Sequence, residues 1–430
     1  MRKFLLQVIL AFLFCAPLAA QTKLPVLMPG VPEKSGFSSE RLKRIDNLIQ
    51  QYIDSNWIAG AIAIVAKDGN IVYHKAIGYD DKQKNKPLQK DAIWRIASQS
   101  KAITSVGVMM LYEDGKLLLD DAISKYIPAF RKPRVLDKFN EADTTYTTVP
   151  AAREISIRDL LTHTSGISYA QIGSKTANAI YYKAGVVGGI GLKGGLLKDN
   201  MLKLAALPLM HQPGQQFTYG LNTDLLGYLI EVISGMSLDQ FFKTKIFDPL
   251  GMKDTYFYIP KEKQNRLAML HGEDASKHVT NVPESITLNG TFYRDYPILD
   301  GGSFYSGGGG LVSTAYDYAV FMQMLLNGGE YNGKRILGRT TVHQMTINQV
   351  GDINLGRAGK FGLGFQIVTE GDASRNTPSV GTFSWGGMFA SSYWIDPKEK
   401  IVGQFVLQHY PISHGEIAEK FKIAVYQALQ

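Results

Sequence analysis

The sequence predicts an α/β fold: an antiparallel β-sheet flanked by helices, with an inserted all-helical lobe. Three observations predict it. Strand-like stretches lie near both ends of the chain, the middle reads as helices, and one helix between them is apolar on nearly every side. A helix apolar all round is a buried one, so sheet and lobe are expected to meet around it.

The chain opens with Met1-Arg2-Lys3, an apolar run over residues 4–16 too short to span a bilayer comfortably, and the small residues Leu18-Ala19-Ala20. This reads as a secretory signal peptide over residues 1–20, which predicts a periplasmic or secreted protein. Cys15 is the sole cysteine, and Phe14 before it is too large for a lipid-attachment site. The mature chain therefore offers no disulfide framework, thiol nucleophile or cysteine-based metal site. No later stretch is long and apolar enough for a membrane span.

Residues 21–430 read as one domain, with an α/β lobe at about 21–120 and 290–430 and a helical lobe at about 121–289. Losing Arg2 and Lys3 takes the formal charge from +8 to +6. The basic residues are scattered except over 82–90, a run without interleaved aromatics, so a solvated loop is expected and no nucleic-acid partner.

Residues 38–53 put Leu42, Ile45, Leu48, Ile49, Tyr52 and Ile53 on one stripe, a helical pattern. Residues 60–66 and 71–77 flank Asp68-Gly69, a hairpin signal. The all-apolar helix follows over residues 101–111, stopped by Asp114-Gly115. At its entrance stands Ala97-Ser98-Gln99-Ser100-Lys101, the only Ser-x-x-Lys spacing in the chain.

If the helix begins near Ser98, then Ser98 and Lys101 share a face at i and i+3, and backbone N–H groups around the serine lack intrahelical partners. A serine hydroxyl needs an adjacent base. A lysine in a dry pocket can be one, because burial disfavours the ammonium. The unpaired N–H groups also favour charge developing on an attacked carbonyl oxygen.

In the middle region Ser156 and Asp159 have capping-box spacing. His163 reads as a structural hydrogen-bonder rather than a base. The glycine-rich stretch over residues 181–198 fits no phosphate or dinucleotide fingerprint and reads as a mobile loop near a cleft. Pro213-Gly214 is a turn, Tyr219 is a candidate for proton transfer, and residues 225–233 are a buried helix. Thr314 and Asp317 cap another helix ending at Leu326. Residues 328–334 imitate a phosphate loop, but Arg335 stands where a magnesium-binding hydroxyl is needed, so that reading is rejected. Strands are expected at 363–367, 383–388, 392–395 and 401–408, and a closing helix at 416–429.

Ser98-Gln99-Ser100-Lys101, Leu160-Leu161-Thr162-His163-Thr164-Ser165-Gly166, Pro213-Gly214, Tyr219 and Trp385-Gly386-Gly387 occur in that order. Together they resemble the serine hydrolases of the class C β-lactamase and penicillin-binding-protein superfamily, from about Ser38 to the C-terminus. The resemblance implies a β-lactamase/transpeptidase-like fold with Ser98 as the acylated nucleophile, Lys101 as its base and Tyr219 as the proton shuttle. The backbone N–H groups of Ser98 and Met388 would form the oxyanion hole, and water would release the acyl group.

The chain departs from the β-lactamases in two places. Trp385-Gly386-Gly387 stands where they carry Lys-Thr-Gly, whose lysine holds a substrate carboxylate; the Trp-Gly-Gly form resembles the family VIII carboxylesterases. Tyr219-Gly220-Leu221-Asn222 is one residue longer than the usual Tyr-x-Asn. Asn222, Trp385, Gly386, Gly387 and Met388 are the substrate-binding candidates.

The expectation is an exported serine hydrolase acting through an acyl-enzyme on small carboxylic esters, without metal or cofactor. The alternatives are a β-lactamase or D-amino-acid peptidase, an acyltransferase using the same acyl-enzyme, and a penicillin-binding receptor with slow deacylation. Its partner is a small ester or amide; the sequence sets no oligomeric state.

Overall fold

The computed structural model describes residues 24–430 apart from 193, 288–290, 299–300, 356–358 and 374–376. The proposed leader, with Cys15, lies outside the described residues. Helix α1 (Ser39–Asp54) starts on Ser38, whose hydroxyl accepts from the Arg41 N–H at 3.2 Å, and buries Leu42, Ile45, Ile49, Tyr52 and Ile53. Strands β1 (Gly60–Lys67) and β2 (Asn70–Asp81) form the expected hairpin. Asp68 and Gly69 both take positive φ, 49° and 78°, as the two central residues of a tight primed turn must.

The later elements that matter for the site are α2 (Ser100–Glu113), α3 (Asn222–Ser234), α4 (Ala315–Leu326), β3 (Phe383–Gly387), β4 (Ser391–Asp396), β5 (Ile401–Val406) and α5 (Ile417–Tyr426). The sheet runs β2-β1-β5-β4-β3, and every neighbouring pair is antiparallel. Short strands extend it beyond β3, and Met28–Pro29 adds a parallel edge along β2.

The two faces of the sheet are covered separately. Along β1, Ala61, Ala63 and Val65 pack with α1 and α5, whereas Ile62, Ile64 and Ala66 join the larger core around α2 and α4. Successive strand side chains point to opposite faces, so a strand covered on both sides must be apolar throughout, as β1 is. Helix α2 is buried continuously from Ser100 to Met109. It lies close to α3: a Cβ on Gly107 would stand 3.0 Å from Ile230 Cδ1.

The segment over residues 121–289 corrects the all-helical expectation. It holds α3 and shorter helices, but also an antiparallel hairpin, Arg134–Phe139 with Tyr146–Pro150, and the small pair His271–Glu273 with Val279–Asn281. The hairpin has a physical reason. Thr145-Tyr146-Thr147-Thr148-Val149 is a run of β-branched and aromatic residues that suits a strand, and Asn140 closes the turn by hydrogen bonds to Thr144 and Thr145. The phosphate-loop imitation is another hairpin turn, with Asn332 and Gly333 at positive φ between Glu330–Tyr331 and Lys334–Arg335.

Candidate active site

The chain reaches Ser98 through a constrained turn. Ala97, fully buried, takes φ 45°, a left-handed conformation that costs a non-glycine residue about 1 kcal/mol or more. A single 3₁₀ turn, Ala97–Gln99, then leads into α2. Within residues 92–109 Ser98 alone is more than marginally accessible, so the turn lifts one hydroxyl out of an otherwise buried stretch.

Lys101 is 2% exposed, and its Nζ donates to Ser98 Oγ at 3.3 Å and to the Gly308 carbonyl at 2.5 Å. That carbonyl belongs to the glycine run over residues 307–310, which lies along the first turn of α2. Thr104 Oγ1 donates to Gly307 O at 2.7 Å, and Ser100 Oγ accepts from the Leu311 N–H at 3.1 Å. Side chains would block this approach: a Cβ on Gly307 would lie 2.8 Å from the Thr223 carbonyl and 3.1 Å from Thr104 Oγ1. The sequence signal here is four consecutive glycines, with nothing local to say what they approach.

Tyr219 comes to the same place. Lys101 Nζ lies 4.8 Å from the centre of its ring and 5.6 Å from that of Tyr169. Trp385 Nε1 donates to the Tyr219 hydroxyl at 3.4 Å. A Cβ on Gly387 would stand 2.6 Å from the Ile96 carbonyl, so this glycine lets the end of β3 approach the turn before Ser98. Met388, next in the chain, lines a cavity with Ser98.

That cavity is about 210 Å³ and is walled by Tyr169, Ile172, Val187, Ile190, Leu192, Phe292 and Met388 among others, none of them charged. Val187, Gly188, Ile190 and Leu192 come from the glycine-rich stretch, whose described residues form one wall of the cleft. Both backbone groups of Val187 are held by the Asn200 side chain at 2.9 Å, and a Cβ on Gly191 would stand 2.2 Å from the Phe292 ring. A larger cavity of about 490 Å³, near Phe257 and Tyr305, includes neither Ser98 nor Lys101.

Asn222 does not join the pocket. It is fully buried at the start of α3; its Nδ2 donates to His163 Nδ1 at 2.9 Å, and its Oδ1 accepts from the Ser165 hydroxyl. Gly220 is packed against the Ile167 carbonyl, 2.1 Å from where a Cβ would be. His163 is a structural hydrogen-bonder. Burial, with the nearby Lys101 charge, pushes its pKa well below the usual value, so it is the neutral partner of Asn222. Among the described residues no group of three or more His, Cys, Asp or Glu could hold a metal ion.

Comparisons with known proteins agree with this architecture. The chain is 32% identical over 416 residues to an Escherichia coli K12 protein provisionally named a D-alanyl-D-alanine carboxypeptidase, covering 92% of this chain and 86% of that one. It is 29% identical over 363 residues to the esterase EstB of Burkholderia gladioli, covering 82% and 86%. The solved structure of EstCE1, described as a hydrolase with promiscuous acyltransferase activity, superposes with a TM-score of 0.76 at 28% identity, covering 90% of this chain and 99% of that one. Fold and relatives define a serine hydrolase. The chain belongs to the beta-lactamase family, whose model matches residues 45–424.

Proposed function

We propose that this protein is an exported serine hydrolase that cleaves small carboxylic esters through an acyl-enzyme on Ser98. The observation that carries the reading is the placement of Ser98, hydrogen-bonded to a buried lysine, at an apolar cavity whose described lining carries no charge. An apolar acyl group is favoured there by burial, about 25 cal/mol per Å² of apolar surface covered. A substrate carboxylate, as a β-lactam or D-alanyl peptide carries, would meet Trp385 where the β-lactamases offer a lysine, and a charge left unpaired on burial is costly. The leader over residues 1–20 supports export to the periplasm or medium.

In this reading Lys101 Nζ takes the Ser98 hydroxyl proton as Oγ attacks the ester carbonyl. The backbone N–H groups of Ser98 and Met388 receive the oxyanion. Tyr219 relays that proton from Nζ to the departing alkoxide, leaving an ester on Ser98, a free alcohol and a neutral lysine and tyrosine. Water then attacks the acyl-enzyme, giving one proton through the Lys101–Tyr219 pair to Ser98 Oγ as the carboxylic acid leaves.

The test is turnover of a short-chain nitrophenyl ester beside a chromogenic cephalosporin, with Ser98→Ala as control for each. Ester turnover lost in the variant, with little cephalosporin hydrolysis, is expected. Cephalosporin hydrolysis at a comparable kcat/KM would overturn the ester reading and move the protein to the lactamases.

A further inference from the structure

The reaction uses no carboxylate, yet one lies buried beside the lysine. Asp224, in the first turn of α3, is 1% exposed. Its Oδ1 accepts from Ser306 Oγ at 2.5 Å and, more weakly, from the Gly308 N–H at 3.4 Å. Among the described residues its Oδ2 has no hydrogen-bond partner. It faces the glycine run directly: a Cβ on Gly308 would stand 2.3 Å from Oδ2, and one on Gly189 3.2 Å from Oδ1. A carboxylate so placed needs a compensating charge, because an unpaired buried ion is far more costly than a buried neutral group.

We propose that Asp224 is a positioning residue for the Lys101 base. It anchors Gly308, whose carbonyl holds Nζ toward Ser98, and it supplies the negative charge that balances the ammonium formed when Lys101 takes the serine proton. The inference rests on the reading of Ser98 and Lys101 as nucleophile and base.

The connection runs through one residue. Asp224 Oδ1 receives the Gly308 N–H, the Gly308 carbonyl receives Lys101 Nζ, and Nζ donates to Ser98 Oγ. The proton that leaves Ser98 Oγ ends on Nζ, so the site passes from a neutral serine–lysine pair to an alkoxide nucleophile with an adjacent ammonium. That cation forms in a buried setting where effective charge interactions are stronger than in water. Among the described residues, Lys101, Tyr169 and Tyr296 are titratable groups close enough to interact electrostatically with Asp224. Burial pushes the phenol pKa values of both tyrosines well above the ordinary range, so they stay neutral. Burial raises the Asp224 carboxyl as well, and the Ser306 hydrogen bond and the Lys101 charge oppose that rise.

Asp224→Asn keeps the shape and an acceptor for Ser306 while removing the charge. Its kcat on a nitrophenyl ester should fall about tenfold or more with KM little changed, and the acid limb of the kcat/KM profile should move about one unit to lower pH, because the ammonium loses a neighbouring negative charge. Labelling of Ser98 by a fluorophosphonate probe, followed by intact mass, should slow in parallel. Ser306→Ala, which loosens the carboxylate without neutralising it, should lower kcat less and leave the limb in place. If Asp224→Asn labels and turns over at the wild-type rate with an unmoved profile, the inference is wrong. The same holds if it merely melts earlier with wild-type kinetics in the folded fraction. If wild-type Ser98 is not labelled and Ser98→Ala still turns over ester, the underlying reading has failed instead.

Discussion

The two faces of the central sheet are built by different rules. On one, α1 and α5 lay apolar stripes over Ala61, Ala63, Val65, Trp394 and Phe405, and their buried residues are almost entirely hydrocarbon or aromatic. On the other, α2 buries Ser100, Lys101, Thr104 and Ser105 inside the largest core, and the first three of these side chains engage residues 307–311. The first face is a stability element, while the second holds polar groups that a hydrocarbon core would be more stable without. Substitutions on the two faces should therefore separate turnover from stability.

The largest effect belongs to Lys101→Met. It replaces a buried amine with an apolar chain of similar length, and ester turnover of the folded fraction should fall about 10³-fold or more. A variant that kept turnover, or that unfolded, would erase the contrast. Next, Phe421→Ala in α5 removes a fully buried ring that packs on Trp394 and Phe405, and should cost about 3–5 kcal/mol of stability by urea titration. Its kcat per folded molecule should be unchanged.

The uneven legibility of the two faces has the same origin. A stripe such as Leu42, Ile45, Ile49 and Ile53 repeats within one helix, so the sequence shows it without knowledge of what it packs against. The Asp68-Gly69 turn and the caps at Ser156 and Thr314 are equally local, and all are present. Ser98, Lys101 and Tyr219 could be named together through their order in a resembling family, and the structure brings their side chains to one place. The role of Gly308, the burial of Asn222 and the fixing of Val187 by Asn200 each depend on a contact with a separate stretch of chain, which no periodicity carries. The hairpin of Arg134–Phe139 with Tyr146–Pro150 has a local signal in only one strand, the run Thr145 to Val149, and its pairing partner carries none.

Acid should act on stability as well as on the site. His409, beside Phe389 and His271, is buried, and among the described residues its Nε2 has no hydrogen-bond partner. Burial, with His271 nearby, lowers its pKa to about 4. A histidine depressed in the folded state binds protons first in the unfolded chain. Its stabilising contribution is therefore complete above about pH 6.5 and lost as pH falls toward about 4, a change of roughly 3 kcal/mol. His74 on β2, lowered to about 4 by burial, adds to the same window. Urea titrations at pH 7.5 and 4.5 should show the loss, and His409→Gln should reduce it without changing kcat at pH 7.5. An equal slope in the variant would remove His409 from the account.

The smallest effect tests the seam between the faces. Gly387→Ala places a methyl 2.6 Å from the Ile96 carbonyl, at the join between β3 and the turn that presents Ser98. Turnover should drop about tenfold with a melting shift of only a few degrees, since misplacing reacting groups is costly even where folding is not. Wild-type turnover would mean that β3 tolerates displacement from the nucleophile.

The central claim is that Ser98 carries the acyl group, and it is met most directly by quenching a nitrophenyl ester reaction in acid within milliseconds and mapping the adduct by mass. The account predicts one acyl group per chain on the peptide containing Ser98, absent from Ser98→Ala and slow to form in Lys101→Met. An adduct on another residue, or steady ester turnover by Ser98→Ala, would contradict it.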